Sequence, residues 1–189
     1  MTMHIRLTTL GMVLGAISTL VLAGGMVPVP AQSSAPPAVT APATAQALAG
    51  TDAKDGAAAY EAGDYDKARR IWQPLAEKGD TRAQSGMGKL YEKGRGVRRD
   101  YATAIKWYRP AAEKGDAESQ YRLSVAYGYG LGGLKKDEAK AVEWLRKAAE
   151  NGQKRAQKSL ARGYEDSLYG LPRDPEKAKY WYDRSKTPE

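Results

Sequence analysis

The sequence repeats itself after residue 60 with a period of 36 or 37 residues, and few folds accommodate such a period. Aspartates recur at spacings of 36, 37 and 37 residues. Each is followed four residues later by alanine and seven residues later by isoleucine or tryptophan. Glycines and tyrosines keep the same period in two further registers. The members of the three registers are Asp64, Asp100, Asp137 and Asp174; Gly79, Gly115 and Gly152; and Tyr91, Tyr127 and Tyr164.

Each repeat has the sequence signals of two helices. An aspartate carboxylate at a helix start accepts hydrogen bonds from the first amides and complements the helix dipole. Glycine readily adopts the left-handed conformation that ends a helix. Between these signals, apolar residues recur at helical spacing, as in Ala83, Met87, Leu90 and Tyr91. No window alternates with period two, so the pattern predicts an all-α fold.

These residues resemble the Sel-one-like repeat family, a relative of the tetratricopeptide repeats. One copy carries the family pattern as Tyr91, Gly94–Val97, Asp100, Ala104, Trp107–Tyr108 and Ala111–Gly115. The resemblance covers about residues 52–185. It implies a right-handed α-solenoid of about four helix hairpins, whose first helices line a concave face. Each hairpin of such a fold packs only on its neighbours, so stability is nearly additive along the chain.

Two features depart from the family pattern. In the first hairpin, Tyr60 and Asp64 are four residues apart, whereas the later tyrosine–aspartate pairs are nine and ten residues apart. This hairpin is closer to an ordinary tetratricopeptide unit. Pro74 and Pro110 stand ten residues after a capping aspartate, where the family has lysine. Each proline removes one helical amide, which predicts a kink in its helix.

The first fifty residues differ in composition from the repeats. Arg6 is their only charged side chain, and the apolar run Leu10–Ala23 has the length of a signal-peptide core. Residues 1–26 are therefore predicted to be a signal peptide. An uncleaved membrane anchor is the alternative, because the stretch Leu7–Val29 is also free of charge.

These N-terminal features also predict the segments of the chain and its cellular compartment. Small residues precede two candidate cleavage points, after Ala23 and after Ala31. Residues 27–51, rich in proline and alanine, are predicted to be a disordered linker. Residues 52–185 form the repeat domain and 186–189 a tail. Export predicts a periplasmic or secreted protein, and the anchor alternative predicts an inner-membrane protein that faces the periplasm.

The chain lacks the residues on which most enzymes depend. It contains no cysteine, and its single histidine, His4, lies in the predicted signal peptide. Disulfides, thiolate nucleophiles and zinc–thiolate sites are thereby excluded, and carboxylate chemistry is the only enzymatic route left. No pair stands out among the 22 acidic residues. We therefore expect no enzymatic activity, no bound metal and no cofactor.

Two patterns that could indicate a binding site are better explained by structure. Gly128–Gly133 matches G-x-G-x-x-G, which binds dinucleotides only between a strand and a helix. Here the motif follows a predicted helix and occupies the loop of the repeat, so we interpret it as a turn. The periodic tryptophans Trp107, Trp144 and Trp181 are likewise predicted to pack in the core.

The surface of the first helices is the remaining candidate for function. Lysine and arginine total 30 against 22 acidic residues, a net charge of +8. Opposite the packed stripe, equivalent positions of successive repeats form columns, one of which contains Glu118. We predict a basic partner-binding face with apolar anchors, although a solvated face is the alternative. Its residues are Arg82, Ser85, Lys89, Tyr121, Val125, Arg155, Lys158 and Arg162.

Two functions from different classes fit these features. The first is a non-enzymatic protein-interaction module, a scaffold, adaptor or regulator that binds an acidic segment of a partner. The second is the binding of an acidic envelope polymer, such as peptidoglycan or an exopolysaccharide. Nucleic acid is disfavoured, because excess positive charge is unspecific and export removes the usual target. A membrane would be contacted only through an uncleaved N-terminal segment.

Overall fold

In the computed structural model of the protein, residues 52–187 are described, and they form helices without a strand among them. The predicted all-α fold is thus confirmed. The predicted signal peptide and linker, residues 1–51, and the last two residues of the predicted tail lie outside the described residues. The helices are α1 (Ala53–Glu61), α2 (Tyr65–Glu77), α3 (Thr81–Lys93), α4 (Tyr101–Glu113), α5 (Ala117–Tyr129), α6 (Glu138–Glu150), α7 (Lys154–Asp166) and α8 (Pro175–Lys186), with a 3₁₀ turn at Leu131–Gly133.

The helices pair into four hairpins, α1–α2, α3–α4, α5–α6 and α7–α8. Each helix packs on the next one in the chain. The first helices of successive hairpins also touch, α1 with α3 and α3 with α5. This arrangement is that of the predicted α-solenoid. Within residues 52–187, no helix is long and apolar enough to span a bilayer.

The periodic aspartates begin the second helices as predicted. Asp64, Asp100, Asp137 and Asp174 each accept a backbone N–H of the following helical turn. Asp80 and Asp116 do the same for the first helices α3 and α5. Each such cap stabilises its helix by about 1 kcal/mol. Past the ends of α2, α4 and α6, the periodic glycines have φ between 90° and 95°.

The core lies at the junctions between consecutive hairpins. One apolar cluster joins the first hairpin to α3, a second joins α4 to α5, and a third joins α6 to α7 and α8. Trp107, Trp144 and Trp181 are half-buried, and each packs back onto the cluster of the preceding junction. The prediction that these tryptophans pack is confirmed. In two hairpins the residue that follows the tryptophan, Tyr108 or Leu145, is more deeply buried than the tryptophan itself.

A row of buried glutamines also ties each hairpin to the next. Gln84, Gln120 and Gln157 occupy equivalent positions in the first turn of α3, α5 and α7. Each side-chain amide donates to a carbonyl oxygen near the end of the preceding helix, over 3.0 to 3.1 Å. These hydrogen bonds fix how one hairpin is docked on the other.

Two local predictions concern proline and glycine. The helices α2 and α4 continue for three residues past Pro74 and Pro110, so both prolines lie inside their helices. The predicted kink at each proline stays a prediction. The segment Gly128–Gly133 forms the end of α5 and the 3₁₀ turn, as expected of a loop. Its Gly130 and Gly132 have φ of 66° and 61°, in the left-handed region that favours glycine.

Candidate functional site

A first cleft, of about 390 Å³, opens between α1, α3 and α5. Arg82, Ser85 and Lys89 of the predicted face line it. Its apolar lining includes Tyr60 and Trp72, both buried. The indole of Trp72 fits there because α1 and α3 present glycines to it. The first cleft therefore combines polar groups from α3 with an aromatic floor.

The polar groups of the first cleft differ in whether they already bind a partner within the protein. Lys89 Nζ lies 3.4 Å from a carboxylate oxygen of Glu61 and 4.1 Å from the centre of the Tyr60 ring. Ser85 Oγ donates to Asp116 Oδ1 over 2.9 Å. Arg82 is exposed and forms no ion pair within residues 52–187. Arg82 and the exposed Lys54, which also lines the first cleft, are thus its unpaired cations within the described chain.

The remaining cations of the predicted face lie on α7. Arg155, Lys158 and Arg162 are exposed. Arg162 lies beside the hydroxyl of Tyr182. Arg155 and Lys158 form no ion pair with any other part of the described chain. These two cations, like Arg82, are therefore available to an incoming anion.

A second cleft, of about 420 Å³, lies between α5, α6 and the loop before α8. We call it the tyrosine cleft; it is lined by Tyr121, Val125, Tyr129, Val142, Leu145 and Tyr169, among others. The structure thus places the predicted anchors Tyr121 and Val125 here, away from Arg82, Ser85 and Lys89. Sequence reasoning joined all of them in one groove, whereas the structure divides them between two clefts.

A buried polar network lies beside both clefts. Glu92 Oε2 accepts a hydrogen bond from the Tyr108 hydroxyl over 2.8 Å, and its other oxygen is 3.0 Å from Arg122 Nη1. Arg122 in turn pairs with Glu118 at 2.6 Å. Glu118 therefore has its own cation and does not neutralise Arg82 or Arg155.

The network also shifts the ionisation of its members. Burial alone would raise the pKa of Glu92, but the hydrogen bond from Lys93, the charge of Arg122 and the hydrogen bond from Tyr108 outweigh it. The pKa of Glu92 is consequently held below its usual range. Burial, reinforced by the Glu92 carboxylate, raises the pKa of Tyr108. Glu92 stays charged and Tyr108 stays neutral at neutral pH.

Sequence reasoning missed this network, although the repeats carry a signal for it. A glutamate follows the periodic tyrosine in the second and fourth hairpins, and a tyrosine follows the periodic tryptophan in the same two hairpins. In the third hairpin both positions change together, to glycine and leucine. The pairs are Glu92–Tyr108, Gly128–Leu145 and Glu165–Tyr182.

The clefts offer surfaces for binding. Among residues 52–187, no three histidine, cysteine, aspartate or glutamate side chains come together as a metal site requires. The first cleft presents the cations Lys54 and Arg82 beside Tyr60 and Trp72, and the tyrosine cleft presents aromatic surface. The cations Arg155 and Lys158 lie on α7, outside the lining of both clefts. Such groups suit recognition of a partner.

The fold and these surfaces define a helical-repeat protein of the α-solenoid class. The Sel1 repeat model matches residues 44–80, 81–116, 117–153 and 154–186. This chain belongs to the Sel1 repeat family, which confirms the resemblance drawn from the sequence. Sel1 repeats generally mediate protein–protein interaction, and the family is one of non-catalytic scaffolds.

Solved structures agree with this assignment. A Sel1 repeat protein from Oxalobacter formigenes is 29% identical, with a TM-score of 0.55, over 61% of this chain and 87% of that chain. The protein c5321, a protective antigen present in uropathogenic Escherichia coli strains, displays an SLR fold. It is 34% identical, with a TM-score of 0.63, over 76% of this chain. The chain spans 32% of the length of c5321. No curated protein matches the sequence significantly.

Proposed function

We propose that this chain is a protein-interaction module of the bacterial cell envelope that binds an acidic segment of a partner protein. The segment would lie along α3, α5 and α7 on a surface that we call the cationic face, formed by Arg82, Lys89, Arg155, Lys158 and Arg162. The observation that carries the proposal is that Arg82, Arg155 and Lys158 have no ion-pair partner within residues 52–187. An acidic partner can bind them without breaking an existing pair.

The surroundings of these cations support the proposal. Glu118, which lies on α5 between Arg82 and Arg155 in the repeat register, is paired with Arg122 and accepts a hydrogen bond from Gln153. It therefore adds little repulsion against an acidic ligand. Below Arg82, the aromatic floor of the first cleft can bury an apolar side chain of the same segment. Interfaces commonly combine such an aromatic anchor with arginine.

The binding of an acidic envelope polymer is the second candidate. The net charge of +8 favours it, because a polyanion responds to the charge of the whole surface. A polymer would bind through many weak contacts that salt screens over about 10 Å. A protein segment that also uses the aromatic floor would keep much of its affinity in salt.

The experiment compares two triple variants of the full chain that change the net charge equally. The first, Arg82→Glu, Arg155→Glu and Lys158→Glu, reverses the free cations of the cationic face. The matched control reverses three exposed lysines elsewhere, with Lys106→Glu, Lys135→Glu and Lys179→Glu. Wild type and both variants are immobilised and exposed to an envelope fraction. Retained proteins and sugars are identified after washes at low and high salt.

The two candidates predict different results. A protein retained at high salt by wild type and the control, and lost by the cationic-face variant, is the expected outcome. Equal retention by both variants would contradict the cationic face as the binding surface. Glycan alone, released by salt and reduced equally in both variants, would support the polymer instead.

The proposed envelope location has its own test. The intact mass of the chain produced in a bacterial host distinguishes cleavage after Ala23, cleavage after Ala31 and an uncleaved anchor. Cell fractionation then shows whether the product is periplasmic, secreted or bound to the inner membrane. Recovery of the uncleaved chain in the cytoplasm would contradict the proposal.

A further inference from the structure

The tyrosine cleft forms where the third hairpin departs from its neighbours. In the second hairpin the hydrogen-bonded side chains of Glu92 and Tyr108 fill the space between the two helices. Glu165 and Tyr182 form the same hydrogen bond in the fourth hairpin, also at 2.8 Å but on the exposed surface. The third hairpin has Gly128 and Leu145 at these positions, and both line the cleft. The loss of one large side chain and the shortening of another leave open space.

The space beside Gly128 is accessible to a ligand. A methyl group placed on Gly128 would meet only the Cβ of Ala141, at an ordinary contact distance of 3.7 Å. The helical glycines Gly86 and Gly88 differ, because a methyl group there would lie within 2.5 Å of an aromatic ring. Those glycines admit side chains of the protein itself. Gly128 instead leaves its space unfilled.

Apolar residues replace charged or polar ones around the same cleft. Tyr129 is 78% exposed and stands where the neighbouring hairpins have Lys93 and Asp166. Val125 stands where they have lysine and arginine, and Tyr121 where they have serine and lysine. The large exposed apolar side chains Leu168 and Tyr169 lie on the adjoining loop. Exposed apolar residues gathered around a cleft indicate a binding site.

One of these residues has an unfavourable backbone conformation. Tyr169 has φ of 58°, in the left-handed region, and its ring lines the cleft while remaining 50% exposed. The equivalent loop positions are Gly96 and Gly132, with φ of 67° and 61°. Tyrosine in this conformation costs free energy that glycine avoids. Strained residues of this kind concentrate at binding sites.

The chemistry of the cleft defines the class of its ligand. Its two charged lining residues, Lys136 and Glu138, pair with each other at 2.8 Å, so it favours an uncharged ligand. Its main walls are helices, whose backbone groups are bonded internally, so a ligand cannot add as a strand. The hydroxyls of Tyr121, Tyr129 and Tyr169 form no hydrogen bond within the described chain and can donate to peptide carbonyls.

We propose that the tyrosine cleft binds an uncharged, proline-rich segment of a partner protein. Proline rings stack on tyrosine, and a polyproline II backbone leaves its carbonyls free to accept from tyrosine hydroxyls. This inference rests on one part of the proposed function, namely that the chain binds a protein partner. The cleft itself is separate from the cations of the cationic face.

The test titrates an oligoproline peptide into the full chain and follows the heat of binding. A glycine–serine peptide of equal length is the ligand control. The main variant, Gly128→Glu with Leu145→Tyr, fills the cleft with the pair that the second and fourth hairpins already accommodate. Tyr169→Gly is a second variant that relieves the left-handed conformation. The triple reversal of Arg82, Arg155 and Lys158 serves as the protein control.

Wild type should bind oligoproline saturably, and the glycine–serine peptide should not bind. The filled-cleft variant and Tyr169→Gly should each lose about tenfold or more in affinity, which corresponds to 1.4 kcal/mol. Tyr169→Gly should not lower the thermal midpoint, because glycine adopts the left-handed conformation without strain. The cationic-face variant should bind oligoproline as wild type does, even if it has lost the acidic partner.

Three outcomes would overturn the inference. They are the absence of saturable binding to wild type, equal binding of both peptides, and unchanged oligoproline affinity in a folded filled-cleft variant. Circular dichroism establishes whether that variant is helical. If it unfolds, the affinity of Tyr169→Gly decides, and unchanged affinity there overturns the inference as well.

Discussion

Tyr108 donates its hydroxyl hydrogen to Glu92 Oε2 over 2.8 Å, and both residues are buried between α3 and α4. Arg122, from the next hairpin, approaches the same carboxylate at 3.0 Å. One carboxylate therefore joins the two helices of its own hairpin and the first helix of the following one. A buried carboxylate is tolerated in a core only with such partners, because burying an unpaired charge is costly.

Removing this carboxylate should destabilise two hairpins at once. Glu92→Ala is expected to lower the free energy of unfolding by about 3 kcal/mol, the lower end for a broken buried pair, because Arg122 keeps Glu118. Urea unfolding monitored by circular dichroism measures the change. A loss below about 0.5 kcal/mol, as for a surface substitution, would contradict the role assigned to Glu92.

The Glu92–Tyr108 pair should also be replaceable as a unit. Because the third hairpin has Gly128 and Leu145 at the same places, Glu92→Gly with Tyr108→Leu should cost less than the sum of the two single substitutions. A coupling energy of about 1 to 3 kcal/mol is expected from a double-mutant cycle. Strict additivity would show that the two positions do not depend on each other.

Stability should fall on acidification. The folded-state pKa of Glu92 is depressed, so its stabilising contribution is fully present above the ordinary value of 4.5 and is lost as the pH falls through the lower, folded value. The capping aspartates Asp100, Asp137 and Asp174 have pKa shifts in the same direction. Glu92→Gln should reduce the slope of unfolding free energy against pH below 4.5. An unchanged slope would contradict this assignment.

Leu160 tests the packing between α6 and α7. Its side chain is fully buried, at 0% exposure, in the third apolar cluster. Leu160→Ala should lower the free energy of unfolding by about 2 to 5 kcal/mol, because it leaves a cavity. Lys158→Ala, on the exposed side of the same helix, is the control and should change stability by less than about 0.5 kcal/mol. Equal midpoints for the two variants would refute the packing.

Two neighbouring glycines of the 3₁₀ turn allow backbone strain and steric crowding to be measured separately. Gly133 has φ of 81° and open space around it, so Gly133→Ala should cost about 1 to 2 kcal/mol from the left-handed conformation alone. Gly132 has φ of 61°, and a methyl group there would lie 2.6 Å from Ile105 Cδ1. Gly132→Ala should therefore cost about 1 to 3 kcal/mol more. Thermal unfolding of both variants provides the comparison, and equal midpoints would contradict the crowding.

The fold could be predicted because its determinants are local and repeated. Asp100 is a cap, Gly115 follows a helix end and Leu123 is buried for reasons that lie within a few residues of each. Four repeats supply the same evidence several times over. The division of the predicted groove into two clefts could not be derived in this way, because columns on successive helices do not show which cleft a side chain enters.

The missed residues depend on contacts across helices. Glu92 follows the periodic tyrosine, and a charged side chain at such a position is expected to face solvent. In the structure it is buried, because Tyr108 and Arg122 bind its carboxylate. Tyr169 belongs to a loop, where helical periodicity says nothing about direction. Only the comparison of equivalent positions, Gly96 and Gly132 with Tyr169, marks it as unusual, and that comparison requires the backbone conformation.

The residue pairs that join the two helices of a hairpin also bear on how such an array could diverge after duplication. Glu92 and Tyr108 occur together, and so do Glu165 and Tyr182, while Gly128 and Leu145 replace both members at once. Among these three hairpins, the residue on the first helix and its counterpart on the second thus change together. New binding clefts would then arise through paired substitutions inside one hairpin, while the glutamine and aspartate registers keep the array in alignment.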